Sequence, residues 1–272
     1  MKLKVMTFNI CHGADYGELL KINQSPNGPL CFGYELTEQL LTEEHAEKLI
    51  ETWHKSVNLE PVADLIRRYD CDIIALNEVR GEGESPYYSN QAEILGQMTN
   101  KNFAYAKAVE FPGEGSYGTA LLSRFPIKSC ETIRIPSMEE VPDREPRCFL
   151  KAVLLVPEEL TVFVSHFGGH PKEQELAVET FLTESDNITT PVLLMGDFNT
   201  TPQDGRLSRI YDTMKEAFEK ENFFTFPSFH PVRKIDYIFA KNSSQLLHFS
   251  EQKVVTETVS DHYPLYAEIL FE

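Results

Sequence analysis

Short runs in which apolar residues alternate with polar ones, or follow one another without a break, recur along most of the chain. They are LKVMTFNI (3–10), CDIIALNEV (71–79), FAYAKAVEF (103–111), YGTALLS (117–123), CFLKAVLLV (148–156), LTVFVSH (160–166), PVLLMGDF (191–198), KIDYIFA (234–240) and YPLYAEILF (263–271). Alternation marks half-buried strands, whereas the unbroken CDIIAL and PVLLM suit central strands covered on both faces. Helical spacing interleaves with them. In EPVADLIRRY, Val62, Leu65, Ile66 and Tyr69 fall on one face behind Pro61 in the first turn, and Ala46, Leu49, Ile50 and Trp53 repeat that spacing in EEHAEKLIETWHK. Segments 172–184 and 205–220 are further helix candidates. The strands are too many for one open sheet. The expected fold is an α/β sandwich, with two sheets face to face and helices on the outer faces.

The pattern shows no linker, repeat or low-complexity tract, so one domain over 1–272 is expected, and a 42% apolar composition supplies its core. One stretch departs from it. Residues 14–57, containing NQSPNGPLCFG, separate the first strand from the helix before the second and predict an elaborated loop-and-helix insertion, either a lid over a site or a structural flap. The N-terminal MKLKVMTFNICHG lacks the apolar stretch and cleavage site of a signal peptide, and no run approaches a membrane span. The cysteines, Cys11, Cys31, Cys71, Cys130 and Cys148, are odd in number and never in a CxxC pair, which argues against a disulfide framework or thiolate zinc site and for small apolar fillers. A cytoplasmic, monomeric protein is expected. Its formal charge of −17, without a basic stripe, disfavours duplex nucleic acid as partner. Bound divalent cations would still make a cleft locally positive.

Chemistry-capable residues close strand after strand: Asn9, Glu78, His166, Asp197 with Asn199, Asp236, and Asp261 with His262. Each alone has an ordinary reading as a turn residue or solvated carboxylate. Strand ends on one edge of a sandwich converge, however, and acids, amides and histidines delivered together suit a hard cation and a phosphate.

The ordered set TFNI, NEVRG, YGTALLSRFPI, SHFGG, GDFNT, TFPS…KIDYIF and SDHYP, running from Thr7 to Pro264, resembles the endonuclease/exonuclease/phosphatase superfamily. That group includes DNase I-like nucleases, apurinic endonucleases, inositol polyphosphate phosphatases and neutral sphingomyelinases. The resemblance implies a DNase I-like four-layer α/β/β/α sandwich of two mixed sheets. It also implies Mg2+ (or Mn2+) on Glu78, with Asn9 beside it and Asp261 as a further metal contact. Asp197 is then the residue that orients or deprotonates the attacking water, and Asn199 a phosphate contact. His262 meets the scissile phosphate, with Asp236 fixing its tautomer, and His166 donates to a non-bridging oxygen. Arg147 falls near a family arginine that approaches the site, with Arg144 less well placed. His12 and His170, flanked by glycine-rich turns, read as turn residues. Thr119 stands where many relatives carry asparagine, and the helix after His166 is read as lacking the Arg and Gln they often carry there, its own glutamine being Gln174, so substrate choice stays open.

The implied activity is hydrolysis of a P–O bond in a small phosphorylated substrate or lipid headgroup, as phosphodiester or phosphomonoester, by in-line attack of water. A DNA endonuclease or exonuclease is the alternative, and a non-catalytic binder of a phosphorylated ligand or protein is a third.

Overall fold

The computed structural model describes residues 1–22, 56–137, 144–218, 223–241 and 247–271. Its strands are β1 (Lys2–Asn9), β2 (Ile73–Arg80), β3 (Asn102–Phe111), β4 (Gly115–Ser123), β5 (Ile127–Arg134), β6 (Cys148–Val156), β7 (Glu158–His166), β8 (Val192–Asp197), β9 (Lys215–Glu216), β10 (Asp236–Lys241), β11 (Leu247–Val254) and β12 (Leu265–Phe271). Its helices are α1 (Tyr16–Ile22), α2 (Glu60–Tyr69), α3 (Gln91–Thr99), α4 (Pro171–Ser185) and α5 (Ser208–Tyr211).

The strands form two six-stranded sheets, ordered β11-β12-β1-β2-β4-β3 and β5-β6-β7-β8-β10-β9. Each sheet has one parallel pair at its centre, β1 with β2 and β7 with β8, and is otherwise antiparallel. Parallel neighbours need a crossover connection. Helix α2 lies on the first of these crossovers and α4 on the second.

Leu3, Val5, Ile73, Ala75 and Leu121 from one sheet meet Leu150, Val162, Val164, Met195 and Ile238 from the other between the sheets. The outer face of the first sheet (Met6, Phe8, Ile74, Leu76) packs on Val62, Leu65 and Ile66 of α2 and Leu95 of α3. That of the second (Phe149, Phe163, Leu194, Phe239) packs on Ala177, Val178 and Phe181 of α4. These contacts make the α/β/β/α sandwich, with cores on three levels.

Strands β5, β9 and β11 were not marked by the pattern. In β5 nearly every side chain is exposed or half-exposed, so its sequence carries no apolar face to read. Helix α3 was also unmarked. It starts at Asn90, whose Oδ1 accepts from the Glu93 backbone N–H at 3.3 Å. Replacing Asn90 with alanine is expected to cost ~1 kcal/mol, the usual loss for an N-cap, measured by urea unfolding.

The helix expected over 205–220 shrinks to the single turn of α5. Ile210, Met214 and Phe218 have helical spacing, but Ile210 and Met214 belong to the outer core under α4 whereas Phe218 belongs to the inter-sheet core. The chain must change direction between them. It does so by pairing β9 with β10.

Of the 14–57 insertion only the ends are described, and they are tied together. Ala14 bridges Val57, the Asp15 N–H donates to Ser56 O at 3.0 Å, and the Asn58 N–H donates to Gly13 O at 2.9 Å. Residues 23–55, including the helix expected around Trp53 and the lid or flap, lie outside the described residues. Among those described, no helix is long and apolar enough to cross a membrane.

Candidate active site

The topology delivers the polar strand ends to one edge. Asn9 is opposite Asn77, His166 opposite Asp197, and Asp197 opposite Asp236. Strand β10 runs against β8, so its first residue stands level with the last of β8. Asp261 and His262 lie in the loop that leads, through Tyr263 and Pro264, into β12, which runs against β1. Their loop is lashed down where the Ser228 N–H donates to Asp261 O at 2.7 Å and the Tyr263 N–H to Thr225 O at 2.8 Å.

Local backbone departures aim the side chains. Register shifts between Leu76 and Val79, so that Asn77 and Glu78 together oppose Thr119, and Glu78 has φ +57°. Such a bulge breaks strict alternation and re-aims a side chain. Asn77 points between the sheets, donating to Ser165 O and accepting from the Asp197 N–H, both at 2.9 Å. It fastens β2 to β7 and β8 directly behind the site. Cys11, His12 and Asn199 also have positive φ. Strand alternation would turn Asn199, two residues on, to the same side as Asp197, but β8 ends at Asp197. The left-handed turn instead brings the Asn199 N–H to Asp197 Oδ1 at 2.9 Å.

Asp197 is the hub. Its Oδ2 is approached by Asn9 Nδ2 at 3.1 Å, His166 Nε2 at 3.4 Å and His262 Nε2 at 3.6 Å. Burial nevertheless pushes its carboxyl up to about 7, against the pull of the His262 charge. His262 Nδ1 lies 2.9 Å from Asp236 Oδ2. Burial alone would lower its pKa, but Asp236 and Asp197 hold it up at about 10, so the ring is an imidazolium at neutral pH. The Phe226 ring covers it at 4.7 Å between centroids.

Glu78 stands beside this hub. Its Oε1 accepts from Asn9 Nδ2 at 3.1 Å, and its Oε2 lies 3.2 Å from His12 Nε2. Asn9 Oδ1 accepts from the Cys11 N–H at 3.1 Å, which fixes the amide with its nitrogen toward the carboxylates. Asp261 is buried and accepts from Ser260 Oγ at 3.0 Å. Burial raises its pKa, the nearby Glu78 adding to the effect. All the site residues marked in the sequence therefore meet at one end of the sandwich.

The model of the Endonuclease/Exonuclease/phosphatase family matches residues 6–262, spanning this constellation from β1 to His262. The chain belongs to that family. The chain is 28% identical over 228 residues to the uncharacterized protein YbhP of Escherichia coli K12, covering 78% of this chain and 88% of that one. In fold it is similar to a mannosyl-6-phosphatase of Bacteroides thetaiotaomicron VPI-5482, at TM-score 0.66 and 16% identity over 99% of this chain and 100% of the other. It is likewise similar to truncated Caenorhabditis elegans TDP2, at TM-score 0.65 and 16% identity over 100% and 98%. Members of the endonuclease/exonuclease/phosphatase family are generally phosphoesterases and typically depend on a divalent metal.

The residues present fit such a cation. Glu78, Asp197, Asp236 and Asp261 crowd a site in which His262 is the imidazolium; burial raises the carboxyls of Asp197 and Asp261 against the pull of His262, with Asp236 adding to the first and Glu78 to the second. Oxygen atoms are the donors a hard cation takes. Donor atoms of Asp197, Asp236 and His262 also lie within 4.8 Å of one another. The short Asp236–His262 contact occupies that group as a charge pair.

Two residues at the site, His12 and Asn77, escape the sequence reading, and a third, Arg147, stands where the resemblance implied. His12 was read as a turn residue, yet it sits on Glu78 and stacks on Tyr117 at 4.9 Å. Asn77 drew no notice beside Glu78. Arg147 reaches His166 Nδ1 at 3.1 Å and Glu145 Oε1 at 2.7 Å. His170 does keep a structural role, capping α4 through the Lys172 N–H at 3.2 Å. The cysteines Cys11, Cys71 and Cys148 are buried as small fillers would be, Cys130 is exposed on the edge strand β5, and Cys31 lies outside the described residues.

Proposed function

We propose that this family member is a Mg2+- or Mn2+-dependent phosphoesterase acting on a compact phosphorylated small molecule or lipid headgroup, as a cytoplasmic monomer whose catalytic unit spans 1–272. The observation that carries the reading is the excess of buried carboxylate around one imidazolium at the edge where both parallel strand pairs end. Glu78 and Asp261, with Asn9 beside them, would hold the cation, which supplies Lewis-acid polarisation of a phosphoryl oxygen.

The chain's own groups divide the remaining work. Asp197, ringed by N–H donors and raised toward neutrality, is suited to orient a water and take its proton. His262, held charged by Asp236, is suited to stabilise negative charge on the phosphoryl group in transit. Asn9, Asn199 and His166 offer further donors to non-bridging oxygens. Attack on phosphorus needs chiefly this positioning and charge neutralisation.

The arginines around the site favour a small substrate over a polyanion. Arg147 is paired with Glu145 at 2.7 Å, Arg206 with Asp204 at 3.2 Å and Arg144 with Glu173 at 3.8 Å, so among the described residues these arginines form no free basic stripe leading away from the phosphate position. The name of the mannosyl-6-phosphatase makes sugar phosphates a sensible first panel.

Hydrolysis of an aryl phosphodiester and the matching monoester, followed by a sugar-phosphate panel, tests the reading. Turnover with Mg2+ or Mn2+ that disappears on chelation is the expected result. Undiminished turnover in excess chelator would overturn the metal dependence. Selective cleavage of duplex DNA with a steep salt dependence would move the assignment to a nuclease.

A further inference from the structure

We infer that Arg147 is a positioning residue that fixes His166 as a neutral imidazole with its hydrogen on Nε2, making His166 an uncharged donor to a substrate oxygen. The inference deepens the phosphoesterase reading and rests on it only for the role of that donor.

Two donors face the His166 ring. Arg147 Nη1 is 3.1 Å from Nδ1, and Asn199 Nδ2 is 3.0 Å from Nε2. A neutral imidazole accepts at one nitrogen only. A guanidinium has no acceptor atom to offer, whatever its orientation. The Asn199 amide, by contrast, carries an acceptor as well as a donor: turned about, it presents Oδ1 to an Nε2 hydrogen and gives up its bond to Phe167 O at 3.1 Å. Arg147 therefore decides, Nδ1 is the lone pair, and Nε2 carries the hydrogen. On that side lies the acceptor the hydrogen needs, Asp197 Oδ2 at 3.4 Å. That contact is long, so the donor has strength in reserve for a phosphoryl oxygen brought closer.

An imidazolium is excluded by the same geometry. It would set an N–H and a positive charge against the guanidinium at hydrogen-bond distance. Burial, Arg147, and the neighbouring His262 and His12 all depress protonation of His166. The groups that face the ring are Arg147 leading into β6, Asp197 at the end of β8, Asn199 beyond it, His262 before β12 and His12 after β1. Asp197 is the sole carboxylate among them, and it faces Nε2. Arg147 is itself anchored by Glu145 Oε1 at 2.7 Å. Arg147 thus commits a charged donor to the ring while its own buried Nε goes without a partner among the described residues. The consequence for the chemistry is a division of labour between the two site histidines. His262, paired with a carboxylate, is charged, and His166, paired with a cation, is a neutral donor.

The test is the long-range proton–nitrogen NMR correlation of the imidazoles in protein labelled at histidine nitrogen, metal-free and with Mg2+, with His166→Gln identifying the His166 signals. Wild type is expected to show a protonated Nε2 and a bare Nδ1 across the neutral pH range. Arg147→Met is expected to mix the tautomers, and Arg147→Lys to restore the Nε2–H form in part. In the phosphoester assay Arg147→Met should lower kcat on the order of tenfold, less than the ~10²–10³-fold lost with a whole oxyanion donor, and shift KM by less. A wild-type ring that is Nδ1–H or doubly protonated overturns the inference, as does Arg147→Met with the wild-type ring pattern. If Arg147→Met does not fold, the wild-type and Arg147→Lys spectra still decide. An absence of turnover in wild type counts against the phosphoesterase reading and leaves the ring pattern to be judged on its own.

Discussion

Asp197→Asn is expected to lower metal-dependent turnover by ~10²–10⁴-fold, the range for loss of a positioned general base, while leaving the protein folded. The substitution keeps shape and keeps an oxygen at Oδ1 to accept from the Asn199 N–H. What changes is the other atom. An amide nitrogen in place of Oδ2 would meet Asn9 Nδ2 and the Nε2 atoms of His166 and His262, and would set donors against donors. It also removes the carboxylate oxygen proposed to take the proton from water.

Stability should change far less, because the donor-against-donor contacts are offset by a second effect. Burial holds the Asp197 carboxyl far above its ordinary range, so the charged form opposes folding and the amide relieves that cost. Steady-state kinetics beside thermal unfolding checks both halves. A variant with more than about a tenth of wild-type kcat, against the ~10²-fold minimum expected for a general base, would take Asp197 out of the chemistry. A collapsed Tm would instead make it a structural acid.

Much of this site could be read before the fold was seen, and the reason is physical. β1, β2, β7, β8, β10 and β12 are central or near-central strands. Their apolar periods are strong, and a polar residue at the end of such a period stands out. Asp197 after PVLLMG and Asp236 before YIFA are legible for that reason. The edge strands β5, β9 and β11 have little or no buried face to impose a period.

Positions set by backbone conformation were equally hidden. Neither the bulge that turns Glu78 to the edge and Asn77 into the interior nor the left-handed turn of Cys11 and His12 leaves a mark in residue spacing. His12 reaches Glu78 only because of that turn. Arg147 belongs to a third kind. Its sequence position suggested proximity to the site, but its effect depends on which ring nitrogen it meets, and that is a matter of ångströms.

Gly196→Ala is expected to disable the site even though it adds a single methyl group to an apolar strand. Gly196 has φ +148°, a conformation L side chains rarely adopt. Its added Cβ would fall 1.9 Å from Ser165 O on the parallel neighbour β7 and 3.3 Å from Asn77 Oδ1. The first obstacle is backbone and cannot rotate away. The second is the side chain that bonds the Asp197 N–H. To admit the methyl, β8 must separate from β7 at the register where Asp197 faces His166, and the Asn77 bridge must give with it.

Backbone strain and overpacking together should cost ~2–6 kcal/mol of stability, seen as a lower urea midpoint. Any protein that still folds should carry Asp197 displaced relative to Asn9 and His262, and a displacement of about 1 Å costs on the order of 10²-fold in rate. A Gly196→Ala protein with wild-type stability and turnover would mean that the close approach of β7 and β8 does not hold Asp197 in place. The glycine between PVLLM and Asp197 would then be dispensable. The expected outcome is that it is not: the strand must run bare for one residue so that two sheets can close on the carboxylate that follows.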